Sequence, residues 1–251
     1  MEKPEYEAMY EQEDRHWWFV GRRRLALALI DNFVSPEAEA RILDVGCGTG
    51  ANIIALSGYG RAIGVDLSPI AINLARQRPV SRFAQASGVH LPFADGTFSL
   101  ITVFDVLYHQ WVTSDEQTLA ELYRLLRPGG WLLVTDSALP ALWSSHDDLY
   151  YARQRYTLND IRGKISQAGF DPRFCSYANF ILLPIIFLVR VVSDRRSLGK
   201  DRVSGQKNMP DWLNRGLIGI RQLEAAWLGS GRHLPLGSSV VCLCQKPSSG
   251  A

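Results

Sequence analysis

The four cysteines of this sequence, Cys47, Cys175, Cys242 and Cys244, include no Cys-x-x-Cys pair, so neither a zinc ribbon nor a thioredoxin-like redox motif is encoded. The five histidines stand singly, and no metal is expected. No secretory signal is present, which with the cysteine usage sets a reduced cytoplasm as the expected location. Charge of one sign is also lacking: 27 Lys and Arg against 25 Asp and Glu leave +2, which gives no electrostatic footprint for nucleic acid. No apolar run is long enough for a comfortable membrane span. The longest candidate, FILLPIIFLVRVV at 180–192, holds Pro184 and Arg190 between Phe180 and Val192. Internal repeats and low-complexity tracts are absent, and only 247–251 reads as a frayed tail.

What remains is a 251-residue chain with 47% apolar content, enough to bury the core of one large α/β domain with additions. Its organising stretch is 41–50, RILDVGCGTG. Ile42, Leu43 and Val45 form a branched apolar run too short for a helix, which predicts a buried parallel strand. Gly46, Gly48 and Gly50 then let the backbone turn tightly against a ligand, and the run 51–56 begins a helix whose N–H groups face it. Gly46, Gly48 and Ala51 also fit a dinucleotide fingerprint, with Asp66 near the spacing of a ribose-binding acid. Asp44 favours another ligand. A carboxylate inside an apolar strand needs a cation or several donors, and it repels a pyrophosphate while holding an ammonium group.

Four motifs in order, DVGCGTG, GVDLS, LPFADGTFSLI and LYRLLRPGGWLLVTD, together resemble the class I S-adenosylmethionine-dependent methyltransferases. The resemblance is to the type 11 group that includes the ubiquinone and menaquinone biosynthesis methyltransferases, and it covers about 41–138. It implies an α/β, doubly wound Rossmann-like fold with a seven-stranded, mostly parallel sheet. The implied cofactor is S-adenosyl-L-methionine, and the implied reaction is methyl transfer to oxygen, nitrogen or carbon of an acceptor. The expected organisation is an N-terminal helical lid at 1–40, a cofactor-binding core at 41–178, a helical cap inserted at 179–236, and the last strand with its tail at 237–251.

Within this frame Asp66, at the tip of the second strand, is the acid for the ribose hydroxyls, and Leu67 packs on the adenine. Ser68 before Pro69 takes the helix-capping role. Ser87 stands where the family usually has the acid for the adenine amino group, with Gly88 beside it, so that contact is weakened to a hydroxyl. Cys47 belongs to the loop that closes on the cofactor, and Asp105, after the fourth strand, shapes its methionine end. Acceptor-side chemistry falls to His109, His146 and Tyr156. For His109, base catalysis and loop positioning both stay open, as do an acceptor-pocket loop and a solvated, ion-paired loop for 146–156.

Trp17, Trp18 and Phe19 serve either as anchor of the N-terminal helix or as lid, and Arg22, Arg23 and Arg24 read as a solvated helix face in preference to a contact with an acid of the substrate. The apolar run from Phe180 to Val192 reads as a core helix, as cover for an acceptor pocket, or as a peripheral membrane contact beside the basic stretch that follows. The residues 198–210 read as a polar loop, and 212–228 as a second helix of the cap. A small-molecule acceptor, apolar or lipid-like, is expected. Two other functions stay in view: a non-catalytic S-adenosylmethionine-binding protein and a nicotinamide-dependent oxidoreductase.

Overall fold

The computed structural model describes residues 2–37, 39–80, 82–196 and 209–248, with backbone only for 191–196. The strands are β1 (Arg41–Val45), β2 (Arg61–Asp66), β3 (Phe83–Gln85), β4 (Phe98–Phe104), β5 (Leu126–Ser137), β6 (Asp171–Ala178) and β7 (Ser239–Gln245). They form one sheet in the order β3-β2-β1-β4-β5-β7-β6, parallel except for β7, which runs antiparallel to both neighbours. β1 is central because every residue from Ile42 to Val45 is buried and pairs with β2 on one side and β4 on the other. Strand order reverses between β1 and β4, so a ligand-binding crevice is expected outside their carboxyl ends.

Alternation along the strands feeds two apolar layers. Ile42, Leu100, Leu133 and Leu243 face one layer, built with helices α2 (Trp17–Leu29), α3 (Ala51–Leu56), α4 (Pro69–Ala75) and α9 (Asp211–Gly229). Leu43, Val45, Ile101 and Leu132 face the other, covered by α5 (Asp115–Leu125) and α7 (Leu158–Gln167). Burying each such side chain contributes about 1.5–3 kcal/mol, and this fixes the register of the strands. Ser68, Ser114 and Thr157 cap α4, α5 and α7, accepting from the N–H of Ala71, Gln117 and Asp160. The Arg127-Pro128-Gly129-Gly130 segment, which reads as a helix stop, already lies in β5. Leu126 pairs with Phe98, and Gly129 N–H donates to the Lys246 carbonyl.

The N-terminal segment and the insertion are packed on each other. α1 (Lys3–Gln12) lies against α4, while α2 and α9 run side by side in the same direction. Gly21 sits where any Cβ would come within 2.7 Å of Arg221 Nε, so glycine sets the approach of these two helices. Asn214 ties the start of the pair, accepting from Trp17 N–H and donating to the Arg15 carbonyl. α8 (Leu183–Arg196) follows β6. The side chains of 194–196 and the basic residues Lys200, Arg202 and Lys207 lie outside the described set, as does the expected loop 198–210 except for its last two residues. Among the described residues, no helix is long and apolar enough to cross a membrane.

Candidate active site

The glycine turn after β1 is held mainly by its own neighbourhood. Gly46 and Cys47 donate their N–H groups to the Val65 carbonyl, and Gly50 donates to the Cys47 carbonyl. Gly46 has φ +72°, and a Cβ there would lie 2.3 Å from the Val106 side chain, so only glycine fits. Gly48 N–H donates to Asp66 Oδ2 at 2.9 Å. Ala51 N–H, at the start of α3, donates to Glu13 Oε2 at 3.3 Å. The turn therefore has few backbone donors left for a pyrophosphate, and a carboxylate of the chain already sits at the helix end where such an anion would bind.

Glu13 is a site residue that the sequence reading missed. It accepts from Thr49 Oγ1 at 2.5 Å and from Arg78 at 2.9 Å, and Arg78 also reaches Asp14 and the Thr49 carbonyl. Burial pushes the Glu13 carboxyl above its usual range, opposed by the Thr49 hydrogen bond and the Arg78 charge. The network straps the N-terminal segment onto the turn. Tyr6 and Met9 on α1 come with it: Met9 Sδ lies 3.3 Å from where a Gly48 Cβ would stand, and the Tyr6 ring borders Asp66 and Ser68.

Asp44 lies buried at the end of β1. Its Oδ1 accepts from Thr102 Oγ1 at 2.6 Å, while Oδ2 is buried with no hydrogen-bond partner among the described residues. Burial raises its pKa to about 7, opposed by the Thr102 hydrogen bond, the Arg22 charge and, more weakly, the nearby Asn52 side chain. A buried acid left half satisfied in this way is suited to a cationic group brought by a ligand. Asp66 is also pushed up by burial, and it accepts from Gly48 and Ser68 N–H at 2.9 and 2.8 Å. Each oxygen of Asp66 keeps a lone pair for a hydroxyl donor.

The far side of the crevice is more open. Leu67, next to Asp66, is 50% exposed. Ser87 forms a tight turn with His90 and accepts from Val89 N–H at 3.5 Å; Gly88 is half-buried against Val45 and Thr118. The Cys47 thiol is buried and points into the core beside Gly64 and Phe83, so Cys47 can serve a ligand only through its backbone.

Arg22 corrects the expectation of a solvated helix face. It pairs with Asp105 at 2.5 Å, because the close contact of α2 with α9 turns this side of α2 inward. Arg23 reaches the Glu13 carbonyl, and only Arg24, bonded to Gln222, lies on the exposed side. Arg22 and Asp105 border a small cavity of about 10 Å³, room for one water-sized group. Trp18, Thr135, Asn179, Arg221 and Ser239 also line it. Arg22 Nε, Thr135 Oγ1, Asn179 Oδ1 and Arg221 Nε are buried there without a hydrogen-bond partner among the described residues. Asp105 and Asn179 have φ of +55° and +64°, a strained backbone at the cavity wall. Arg221 is itself paired with Glu224, which accepts from the N–H groups of Asn179 and Phe180. The cavity thus offers polar contacts with its charges already balanced.

The three acceptor-side candidates fall in different settings. His109 stacks with Trp111 and Tyr151, which also stack on each other in a three-ring cluster, and burial lowers its pKa to about 4. Its Nδ1 accepts from Trp111 N–H at 3.4 Å, which leaves the proton of the neutral ring on Nε2. His146, on α6 (Ser145–Leu149), is exposed on one side, yet desolvation of its ring and then the Arg190 charge lower it to about 4. Beside it Asp147 accepts from Arg155 and Arg190 at 2.8 and 2.6 Å, an ion-pair group that is buried rather than solvated. Tyr156 is buried, with its hydroxyl between Asp115 and Gln154 at 3.0 and 2.6 Å, and its pKa is raised by burial. Those bonds give Tyr156 a structural part. Asp136, which sequence reasoning passed over, accepts from Tyr108 and Ser137 N–H and fixes the loop carrying His109.

The profile of the family described as "Methyltransferase domain" matches residues 43–134. A demethylmenaquinone methyltransferase of Lactiplantibacillus plantarum is 32% identical over 137 residues, covering 50% of this chain and 53% of that protein. A malonyl-[acyl-carrier protein] O-methyltransferase of Enterobacter lignolyticus is 34% identical over 145 residues, covering 53% and 55%. The matched region spans about half the length of these curated relatives. Among solved structures, a chain from the Haloferax volcanii complex of the Trm112 methyltransferase activator with a methyltransferase superposes with a TM-score of 0.62. It shares 19% identity and covers 99% of this chain and 96% of that one, a likeness of fold.

Proposed function

We propose, from the premise that residues 43–134 are a class I methyltransferase domain, that this chain transfers a methyl group from S-adenosyl-L-methionine to an apolar, lipid-like small molecule. The observation that carries the reading is the unpartnered, buried Asp44 Oδ2 beside the glycine turn, which fits the ammonium group of this cofactor. When bound, S-adenosylmethionine supplies a methyl carbon already activated by its sulfonium. In this reading Asp44 holds the ammonium, Gly46, Gly48, Gly50 and the Cys47 backbone keep the turn narrow, and Asp66 accepts the ribose hydroxyls. Leu67, Ser87 and Gly88 flank the adenine, and Asp105, braced by Arg22, borders both the methionine end and the polar cavity.

The chain then has to align the acceptor and exclude water. The cavity between Arg22, Thr135, Asn179 and Arg221 suits a polar atom of the acceptor. His109, neutral and stacked, is a weak base near pH 7 and serves better as a positioning group. An apolar acceptor is supported by the exposed residues of the cap, among them Ile185, Phe187 and Leu188 on α8 and Trp212 and Leu223 on α9. Such an acceptor matches the quinone of the demethylmenaquinone methyltransferase named above better than the carrier-bound acid of the other relative. In the same reading the cap touches the lipid surface from which the acceptor comes.

The nicotinamide alternative is disfavoured because Glu13 and the Val65 carbonyl already use the donors a pyrophosphate would need. Calorimetric titration with S-adenosylmethionine, S-adenosylhomocysteine and NADH tests the cofactor. Binding of the two adenosyl ligands alone, weakened in Asp44→Asn and Asp66→Ala, is expected; binding of NADH alone would overturn the proposal. Incubation with labelled S-adenosylmethionine and a lipid extract separates an enzyme from a non-catalytic binder, since the binder would transfer no label.

A further inference from the structure

Cys175 meets Cys242 and Cys244, distant from it in sequence, across the edge of the sheet. Cys175 on β6 stands directly opposite Cys242 on β7 in the antiparallel register. Cys244, two residues on, shares a face of β7 with Cys242, and all three thiols look into the apolar layer covered by α7. All are free thiols; Cys242 and Cys244 are buried, whereas Cys175 is half-buried on the outermost strand.

Opposed residues of an antiparallel pair have Cα atoms about 4.5–5.5 Å apart. That separation lies inside the range of about 4.4–6.8 Å found for disulfides, so Cys175 and Cys242 need no backbone movement to be joined. Cys244 opposes Pro172, beside the irregularity in β6, and although its thiol also touches that of Cys175, it is diagonal to Cys175 rather than directly opposite. The surroundings also differentiate the thiols. The Cys242 and Cys244 thiols and then the Arg162 charge lower the Cys175 pKa, against the effect of burial. Cys242 is pushed up by its contact with Cys175 and by burial, and Cys244 chiefly by burial. Cys175, the group's member nearest solvent and the one beside the Arg162 charge, is therefore the thiol that ionises first. Among the described residues the group lacks the arrangement of a metal site.

We propose that Cys175 and Cys242 form an oxidation site that reacts with hydroperoxides and closes to a cross-strand disulfide. The Cys175 thiolate attacks one peroxide oxygen, breaking the O–O bond and giving a sulfenic acid with release of hydroxide or alkoxide. The Cys242 sulfur then attacks the Cys175 sulfur; the S–S bond forms as the S–O bond breaks, and the hydroxyl leaves as water with the Cys242 proton. Two thiols are oxidised by two electrons and one peroxide is reduced. The product staples the edge strand to its neighbour, and the site operates independently of methyl transfer.

The test uses the full reduced chain, treated with hydrogen peroxide at a small molar excess, quenched, denatured and alkylated. Two of the four thiols are expected to disappear, and peptide mapping without reductant should show a link between the peptides of Cys175 and Cys242, with Cys47 and Cys244 alkylated. In Cys242→Ser, dimedone should trap a sulfenic acid at Cys175; in Cys175→Ser neither species should form. S-adenosylhomocysteine titration and circular dichroism check that both variants are folded. On the wild type, limiting iodoacetamide near pH 6.5 should label Cys175 first, a readout that needs no variant. Four surviving thiols, a link that includes Cys47 or Cys244, or preferential labelling of another cysteine would overturn the proposal.

Discussion

At the scale of single residues, Asp44 places a titrating group where its consequences can be read in solution. Its folded pKa of about 7 lies above the ordinary value of 3.8, so between them the folded chain keeps a proton that the unfolded chain has lost. Stability therefore falls as pH rises through that window, by up to roughly 4 kcal/mol at 1.36 kcal/mol per unit. Asp44→Asn should flatten the dependence, measured as urea midpoints from pH 4 to 8; an unchanged profile would place the titration elsewhere. Binding an ammonium group needs the ionised acid, so S-adenosylhomocysteine should bind about tenfold more weakly at pH 6 than at pH 8. Glu13→Ala should cost about 3–5 kcal/mol in urea unfolding, since it strips the inner partner from buried Arg78. A loss below 1 kcal/mol would show that Asp14 alone suffices for Arg78. Asp44 and Asp66 were legible in the sequence because each interrupts an apolar strand beside glycines. Glu13 was not, because its partners Thr49 and Arg78 lie 36 and 65 residues away and nothing local links them.

At the scale of elements, the contact between α2 and α9 is the joint of the molecule. Gly21→Ala puts a Cβ against Arg221, and overpacking of this kind costs about 1–3 kcal/mol. Gly163→Ala on α7, with nothing within 4 Å of its new Cβ, should be neutral or raise stability by about 0.5–1 kcal/mol. Equal melting shifts in the two variants would refute the close approach. Strands and capped helices of the core were readable from apolar spacing, as Ser68-Pro69, Ser114 and Thr157 show. The inward turn of Arg22 was not, because a run of three arginines carries no mark of which one meets a partner 83 residues on. Likewise the cysteine spacing excluded a local motif, while register alone brings Cys175 opposite Cys242.

At the scale of the whole molecule, the apolar cap sets the expected behaviour toward lipid. Trp212 is 75% exposed, Leu223 71% and Leu188 62%, side chains that the proposed lipid contact would cover. The full chain should co-sediment with mixed anionic vesicles, and Leu188→Glu with Leu223→Glu should reduce the bound fraction several-fold. Equal sedimentation of the double variant would confine these side chains to acceptor cover. The seven-stranded order followed from the four motifs, whereas the joining of lid to cap did not, since their contacts span nearly the whole chain. The place of β7 has a consequence for synthesis. This late segment lies between β5 and β6, so a ribosome-bound chain must hold β5, β6 and the whole cap in waiting until residues 239–245 emerge. Until then β5 and β6 lack the strand that joins them, which leaves their facing edges open to mispairing and chaperone capture.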